Sequence, residues 1–394
     1  MPAIPSYQPP DGAALLGADV PGLRPRFEVE EGALVAEGQV LFRDRKHTEI
    51  AFAAPMSGRV SKLAYGPRKT LSVCCIAGDQ NAPTAESDAV SSQPDPENPR
   101  AALLERGFWP AFRTRPFGCI PAPDAVPAAI FIKAVRVGLD VPDPSVVLTE
   151  KEEEFHLGIK VLTRLTDGEV FVCQSPGAPL ARDDARVTCV SFGGTQAAGL
   201  PGTHIDRVFP ATQQNAVWSI GYQDTAAIGH LFRGGRYCAS RVVAIGGPAS
   251  AQPRLVRTSL GAGIAGLSGV EQGRAMSGDA LVGREALYLG RYHEQVTLLN
   301  HSVPDPRRPW MDWFRPAGHA LIPTRALDQA LAVDIPTVPL LRALSVGDVE
   351  AAERLGCLAL IEEDVAALSR HCTSGADYAR LLRQVLDDLM EGAP

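Results

Sequence analysis

Long apolar runs are missing from this sequence. No stretch approaches the roughly 18 uncharged apolar residues that a transmembrane helix requires. The opening residues, MPAIPSYQPPDG, also lack the basic start and apolar segment of a signal peptide. Both absences predict a cytoplasmic protein without a transmembrane segment, although a partner could still hold such a protein on a membrane.

Positive charge is in short supply. The chain has 38 lysines and arginines against 45 acidic residues, and its net charge is −7. Binding to nucleic acid depends on a basic surface that neutralises phosphates. The charge balance therefore predicts that nucleic acid is not a partner.

The cysteine and histidine spacings of metal sites are absent too. The eight cysteines are scattered without a CxxC pair, and the eight histidines form neither HxH nor HExxH. Iron–sulfur and zinc sites need such spacings. The sequence therefore predicts reduced cysteines, no metal ligands, and no redox centre belonging to this chain.

What is present indicates several domains, since 394 residues exceed one compact core. Residues 24–80 alternate in short apolar and polar steps that are typical of a small β-barrel, and residues 81–98 form a polar linker. Asn98 and Pro99 then indicate the start of a helix that Gly107 ends.

The middle of the chain reads as an α/β layer. From about 128 to 247, apolar runs such as AAIFIKAV, EVFVC, VTCVSFGG and RVVAIGG alternate with helical stretches. Two of the runs end in glycine pairs, Gly193–Gly194 and Gly246–Gly247, where open α/β sheets place ligands. A small β-rich module over 255–300 and C-terminal helices follow. The last helix carries one apolar face, formed by Tyr378, Leu381, Leu382, Val385, Leu386 and Leu389.

Two motifs suggest cofactors and have simpler explanations. Lys46 lies where a biotin or lipoate carrier places its modified lysine, but its neighbours, FRDRKHTE, are charged, which favours a solvated hairpin tip. GAGIAG, residues 261–266, matches a dinucleotide fingerprint, yet the glycine-rich LSGVEQGRAMSG after it is a poor helix. We expect neither cofactor at these positions.

Two further segments offer candidate ligand contacts. FWPAFRTRPFG interleaves Arg113 and Arg115 with aromatics that include Phe117, which suits either a flat polar ring such as a quinone or an ion pair at a domain seam. GLPGTHI predicts a tight Gly/Pro turn, in which His204 either donates to a bound carbonyl or has a structural role.

A collinear set of segments resembles one family. These segments include LLGADVPGLRPRFEVEEGALVAEGQVLFRDRK, AFRTRPF, GLPGTHI, SIGYQDTAAIGHLF, RVVAIGGP and DIPTVPLLRALSVGDVEAAERLGCLALIEEDVAAL. These segments cover most of residues 12–370 and occur in the order found in the NqrA family. Members of that family are subunits of the Na⁺-translocating NADH:quinone reductases, and this chain resembles them. More distant relatives of that fold carry iron–sulfur cysteines, which this chain lacks. Its cysteine pattern therefore fits the cluster-free NqrA family.

The resemblance implies a multidomain α/β architecture with four parts. These are an N-terminal segment and biotinyl/lipoyl-like β-barrel (1–95), a Rossmann-like α/β domain (96–254), a β-grasp module of the soluble-ligand-binding (SLBB) type (255–318) and a C-terminal helical domain (319–394). In the barrel, RDRK is then the family's version of the hairpin, and Lys46 is an unmodified surface charge.

The resemblance also implies a role. The chain would be a peripheral subunit on the cytoplasmic face of the inner (plasma) membrane, in a six-subunit complex that passes electrons from NADH to ubiquinone and moves Na⁺. Its chief partner would be the membrane subunit beneath it. NAD, FAD, FMN and iron–sulfur centres would belong to partner subunits, with nothing bound covalently here. Ubiquinone contacts would be sought at Arg113, Arg115, Phe117 and His204.

The chain departs from the family's pattern in three places. These are a shortened segment near 301–325, the C-terminal HCTSGADYA and the N-terminal MPAIPSYQPP. These departures leave open that the chain is a divergent scaffold or small-ligand-binding protein that kept the fold but is not part of a sodium pump. A biotin or lipoyl carrier is the third alternative.

Overall fold

The computed structural model describes residues 4–83, 93–136, 141–182, 184–194, 196–212, 214–268, 274–279, 282–300, 320–331 and 333–392. The predicted linker, 81–98, and the predicted shortening near 301–325 therefore lie largely outside the described residues.

Seven short strands form the N-terminal domain. They are β1 (Gly12–Leu16), β2 (Pro25–Phe27), β3 (Leu34–Val35), β4 (Val40–Asp44), β5 (Ala51–Ala53), β6 (Gly58–Tyr65) and β7 (Leu71–Ala77). They pair antiparallel in two sheets, in the orders β1-β7-β6-β3 and β2-β4-β5. Leu41 and Val60 of the two sheets lie in one core. The predicted strand-rich domain is confirmed, and Lys46 is exposed in the turn between β4 and β5.

Helix α1 (Pro99–Glu105) begins where the sequence predicts. Pro99 occupies the first turn, while the Asn98 side chain makes no capping hydrogen bond and instead donates to Asp95 Oδ2 (3.0 Å). Gly107 has a φ of +74°, and a Cβ there would lie 2.7 Å from the Cβ of Ala53 in the barrel. The glycine thus lets the chain turn tightly against the first domain.

An α/β layer follows. Its elements are β8 (Arg113–Arg115), β9 (Ala129–Ala134), α2 (Pro144–Val147), α3 (Glu152–Leu162), β10 (Glu169–Gln174), β11 (Val187–Ser191), α4 (Pro201–Val208), β12 (Val217–Gly221) and α5 (Tyr222–Gly234). The sheet order is β11-β10-β9-β12-β8, parallel except for β8. Strand β9 is almost wholly apolar because a parallel strand of this kind is covered on both faces.

A third, mixed sheet contains β13 (Ser240–Gly246), β14 (Arg254–Ser259), β15 (Arg274–Ser277), β16 (Arg284–Glu285) and β17 (Gln295–Leu299), with the short helix α6 (Ile264–Ser268) between β14 and β15. The expectation that RVVAIGG belongs to the α/β sheet is wrong. Strand β13 instead pairs antiparallel with β14 and parallel with β17. An apolar run identifies a buried strand but does not say which sheet takes it.

The glycines of GAGIAG serve packing against the barrel. Gly261 has a φ of +67°, and a Cβ there would overlap the carbonyl of Ala14. The amide of Gly263 donates to the Gly12 carbonyl (2.8 Å), and Ala13 forms a bridge with Ala262. The spacing of small residues therefore joins the third sheet to β1.

Five helices end the described chain: α7 (Arg325–Ala330), α8 (Thr337–Val346), α9 (Val349–Arg354), α10 (Glu362–His371) and α11 (Tyr378–Gly392). The apolar face predicted for the last helix is confirmed, since Tyr378, Leu382, Val385 and Leu386 are buried in the helical core. Within the described residues, no helix has the length and apolar character needed to span a bilayer.

Candidate functional site

The α/β sheet has a topological switch point between β9 and β12. Taken in chain order, its parallel strands lie side by side as third, second, first and fourth, so the strand order reverses between β9 and β12. Open α/β sheets bind ligands in the crevice outside the strand ends at such a point. Lys133 near the end of β9 lies opposite Gly221 at the end of β12.

A cavity of about 280 Å³ adjoins this point. Lys133 and Val135 of β9 line it, together with Leu200 before α4. The loop before β17 contributes Tyr292, His293 and Glu294, and helix α10 contributes Glu363 and His371. Three structural units therefore meet around one cavity close to the size of a small-molecule site.

Lys133 is the one lysine or arginine among the described residues that line this cavity. It is half-buried and makes no hydrogen bond or ion pair with any residue that the structure describes. Opposite it, burial raises the pKa of Glu294 above its ordinary value although Lys133 opposes the shift, and Gln223 Nε2 donates to Glu294 Oε1 (3.0 Å). An unpaired ammonium in a partly dry cavity is a strong hydrogen-bond donor toward a carbonyl or an anion.

The cavity histidine on the loop before β17 is held neutral. Burial lowers the pKa of His293 to about 4, and its Nδ1 is 2.7 Å from Ser277 Oγ. At neutral pH this ring adds polarity without charge to the cavity wall.

A second polar cluster, next to the cleft, is held together by hydrogen bonds among its own residues. Asp224 accepts hydrogen bonds from Arg241 and from Arg291 Nη2, the latter at 3.1 Å. Arg291 Nε also donates to the Pro110 carbonyl (3.0 Å), so the cluster joins the α/β layer to the third sheet. These arginines are paired and are therefore structural links between the units.

The arginines predicted from RTRPF lie at a seam with helix α10. Arg113 is 3.6 Å from Glu362 and 3.9 Å from Glu363, and its guanidinium lies 5.0 Å from the ring centroid of Tyr292. Fully buried Arg115 lies 3.4 Å from Glu363 and 3.3 Å from Asp364. The ion-pair alternative foreseen for these residues is thus what the structure shows.

Burial and the arginines pull the two seam carboxyls in opposite directions. Burial disfavours the charged form of Glu363, but Arg113 and Arg115 outweigh it and hold its pKa below the ordinary value. For Asp364 burial is the stronger effect and raises the pKa to about 6, against the influence of Arg115.

Phe117 and His204 are both packed into the protein. Phe117 has a φ of +76°, its side chain packs against the core of the C-terminal helices, and its carbonyl accepts from Arg383 Nη1 (2.9 Å). The turn expected at GLPGTHI is wrong, because Pro201 instead begins helix α4, which holds His204. The buried His204 Nε2 donates to the Ala198 carbonyl (2.7 Å), and burial lowers the pKa of this histidine to about 4.

The structure thus separates the four predicted site residues. Arg113 lines a smaller cavity that adjoins the cleft and shares Tyr292 and Glu363 with it. Arg115, Phe117 and His204 are engaged in packing and internal bonds. Sequence reasoning missed Lys133. The signal was present, since Lys133 is the one charged residue in the apolar run AAIFIKAV.

Metal ligands are not brought together in the part of the chain that the structure describes. No group of three or more His, Cys, Asp or Glu side chains among those residues could hold a metal ion.

Fold and site together define a class: a multidomain α/β protein with a barrel–sandwich domain at its N-terminus, a helical C-terminus, and a cavity at the switch point of its α/β sheet. Residues 2–79 match the model for the NqrA N-terminal barrel-sandwich hybrid domain, and residues 95–237 match that for the NqrA second alpha/beta domain. The chain belongs to the NqrA family.

Similar curated proteins agree with this family. The NqrA protein of the Na(+)-translocating NADH-quinone reductase from Shewanella amazonensis is 38% identical, over 95% of this chain and 92% of the relative. The proteins of the same name from Shewanella frigidimarina and Neisseria meningitidis serogroup C are 38% and 37% identical, each over 95% of this chain and 93% of the relative. Among solved structures, an NAD⁺-reducing [NiFe]-hydrogenase matches 67% of this chain and 55% of its own with 12% identity and a TM-score of 0.35, a likeness too weak to support a conclusion.

Proposed function

We propose that this chain is the peripheral NqrA component of a Na⁺-translocating NADH:quinone reductase, at the cytoplasmic face of the membrane. One observation carries the proposal: relatives of that name are 38% identical across 95% of the chain, so the similarity spans every domain. Its partners would be the other subunits, chiefly the membrane subunit beneath it. This near-complete collinearity favours the pump over a divergent scaffold.

The finer fold assignments belong to the same proposal. The order of the four parallel strands in the α/β layer is that of the first four strands of a dinucleotide-binding fold, which supports a Rossmann-like domain. The third unit, a mixed five-stranded sheet with one short helix, is our candidate for the β-grasp SLBB-like module.

Within such a complex, the contribution of this chain would be to bind and position quinone, while NAD, flavins and iron–sulfur centres lie in partner subunits. A quinone head group is a flat ring with two carbonyl acceptors, and it needs apolar walls and one or two donors. The cleft at the switch point offers Val135 and Leu200 as walls and Lys133 as donor. An ammonium beside a quinone carbonyl stabilises the negative charge that reduction places on that oxygen.

Of the contacts proposed from the sequence, Arg113 is best placed to take part, because it lines a smaller adjoining cavity that shares Lys133 and Glu363 with the cleft. Arg115, Phe117 and His204 would act on a quinone only through the residues they support. Loss of binding after their substitution would therefore need to be separated from loss of stability.

The membership of the complex is tested by co-purification. A tagged copy, expressed in the native organism and purified from its membranes, should bring down the flavin-bearing subunits. If it is recovered without any membrane subunit, the scaffold alternative replaces the pump.

The quinone site is tested by Lys133→Met, a substitution that keeps the side-chain length and removes the charge. We expect binding of a quinone analogue to weaken about tenfold or more, since a charge-assisted hydrogen bond is worth about 1.5–3 kcal/mol. The matched control is Lys160→Met on α3, where the lysine is exposed and 4.0 Å from Glu97. Equal affinity of the Lys133→Met and Lys160→Met proteins would remove the cleft from consideration while leaving membership of the complex intact.

A further inference from the structure

One face of the barrel carries arginines directly opposite each other. Strands β2 and β4 pair antiparallel with Arg26 opposite Arg43, and the amide of Arg45 donates to the Arg24 carbonyl (2.8 Å). Pro25, between Arg24 and Arg26, is buried, whereas both arginines are exposed. Because side chains alternate between the faces of a strand, all four arginines project from the outer face.

These arginines are largely uncompensated. Arg43 Nε donates to Glu28 Oε1 (2.9 Å), while Arg24, Arg26 and Arg45 have no carboxylate partner among the described residues. Like charges directly opposite each other on a sheet are destabilising. The pairing of Arg26 with Arg43 is therefore unfavourable in itself, although Arg43 also donates to the Thr48 and Glu49 carbonyls of the turn before β5 (3.2 and 3.4 Å).

Three more cations adjoin the arginine pairs. Lys46 is exposed in the turn that follows Arg45. Arg68 and Lys69 are exposed in the turn before β7. This turn lies near Arg24, because the amide of Leu71 in β7 donates to the carbonyl of Leu23 (2.8 Å). Arg68 and Lys69 have φ values of 55° and 61°, a left-handed backbone conformation that is unfavourable for residues other than glycine.

We propose that this basic face, formed by Arg24, Arg26, Arg43, Arg45, Lys46, Arg68 and Lys69, docks on the phosphate headgroups of an anionic lipid bilayer. A guanidinium binds phosphate through two parallel hydrogen bonds, and a row of them on a short exposed sheet matches a surface of repeated phosphates. The whole chain has a net charge of −7, so an anionic surface repels most of the molecule. Attachment would therefore occur in one orientation, with the barrel toward the lipid. This inference does not depend on the role of the chain in electron transfer.

The test uses the full-length purified chain and co-sedimentation with vesicles. Vesicles of phosphatidylcholine alone are compared with vesicles that also contain phosphatidylglycerol, at low and high salt. The variant is Arg24→Gln with Arg26→Gln. The matched control is Arg342→Gln with Arg370→Gln, which removes two exposed arginines of the C-terminal helices that have no ion pair among the described residues.

We expect binding only to the phosphatidylglycerol vesicles, with loss of binding at high salt. The Arg24→Gln/Arg26→Gln protein should bind about 30-fold more weakly, because each cation near an anionic surface is worth about 1 kcal/mol. The control should bind like the parent. Equal binding by the two double variants, or equal binding to neutral vesicles, would overturn the proposal.

A soluble polyanion separates a lipid surface from an acidic partner. Heparin and polyglutamate are added to the phosphatidylglycerol assay at matched charge. Lipid docking predicts that neither removes the protein from the vesicles as effectively as salt. Preferential capture by polyglutamate, lost in the Arg24→Gln/Arg26→Gln protein, would replace the lipid with an acidic protein segment.

Discussion

At the scale of single residues, a partner or a pKa shift compensates for the burial of several ionisable groups that the structure describes. Arg115 is fully buried and faces Glu363 and Asp364. The buried rings of His204 and His293 are held neutral instead, with pKa values of about 4. Lys133 is half-buried and makes no hydrogen bond or ion pair with the residues that the structure describes, which makes it a candidate ligand contact.

His204 makes the stability of the protein depend on pH. Its folded pKa of about 4 lies below the ordinary value of about 6.5, so between these values the unfolded chain binds a proton that the folded chain does not. Stability from this group is complete above about pH 6.5 and is lost as the pH falls toward 4.

Urea unfolding of the parent and of His204→Gln, each at about pH 7 and pH 5, checks this dependence. The parent should lose about 2 kcal/mol more stability than the variant on acidification, which is the linkage expected for such a shift. Glutamine can still donate to the Ala198 carbonyl, so the comparison isolates the proton. Identical pH dependence in the two proteins would show that the ring is protonated without penalty in the folded state.

At the scale of elements, glycines let helices and loops approach where side chains would keep them apart. Helices α3 and α5 cross with Gly158 against the carbonyl of Thr225 and Gly229 against the carbonyl of Glu154, and a Cβ at either glycine would overlap that carbonyl. The contact holds both helices on one face of the α/β sheet, beside β9 and β12.

Gly229→Ala should therefore destabilise the protein by about 1–3 kcal/mol, although alanine is the better helix former, because the added methyl forces the helices apart. The control lies in the same helix, where a Cβ at Gly234 would meet nothing within 4 Å. Gly234→Ala should leave the free energy of unfolding unchanged or raise it by up to about 1 kcal/mol. Chemical denaturation measures both, and similar effects would mean that helix propensity governs both sites.

At the scale of the whole molecule, the units are joined by different means. The third sheet contacts the barrel through backbone bonds at Gly261–Gly263. The C-terminal helices meet the α/β layer through the seam of Arg113 and Arg115 with the acidic start of α10. Glu363 of that seam also lines the cavity at the switch point, so the proposed ligand site and the start of α10 share a residue.

Asp364→Asn should loosen the seam without disturbing the barrel, because a buried guanidinium loses one of its two carboxylates. Hydrogen exchange should become faster in α10 and β8 and stay unchanged in β4 and β6. Asp388→Asn, at an exposed position of α11, is the control and should change neither. Faster exchange throughout the chain would instead mean that the units unfold together.

The sequence by itself determined a good deal. Period-two alternation predicted the N-terminal strands, the β/α alternation predicted the second domain, and the 3.6-residue period predicted the face of α11, because each pattern depends only on neighbours along the chain. Collinear motifs indicated the family, since their order over most of the chain is far more specific than any single motif. The absence of CxxC, HxH and HExxH spacings was equally local information.

Tertiary structure alone decided which sheet receives β13, which cations stay unpaired, and what the glycines of GAGIAG contact. Arg113 and Arg115 gain their partners from residues about 250 positions later in the chain, and His204 is buried by a helix that the sequence presented as a turn. Lys133 became a candidate only when the third sheet and α10 closed a cavity around it. Pairing and burial depend on contacts between distant segments, and local patterns carry no record of those contacts.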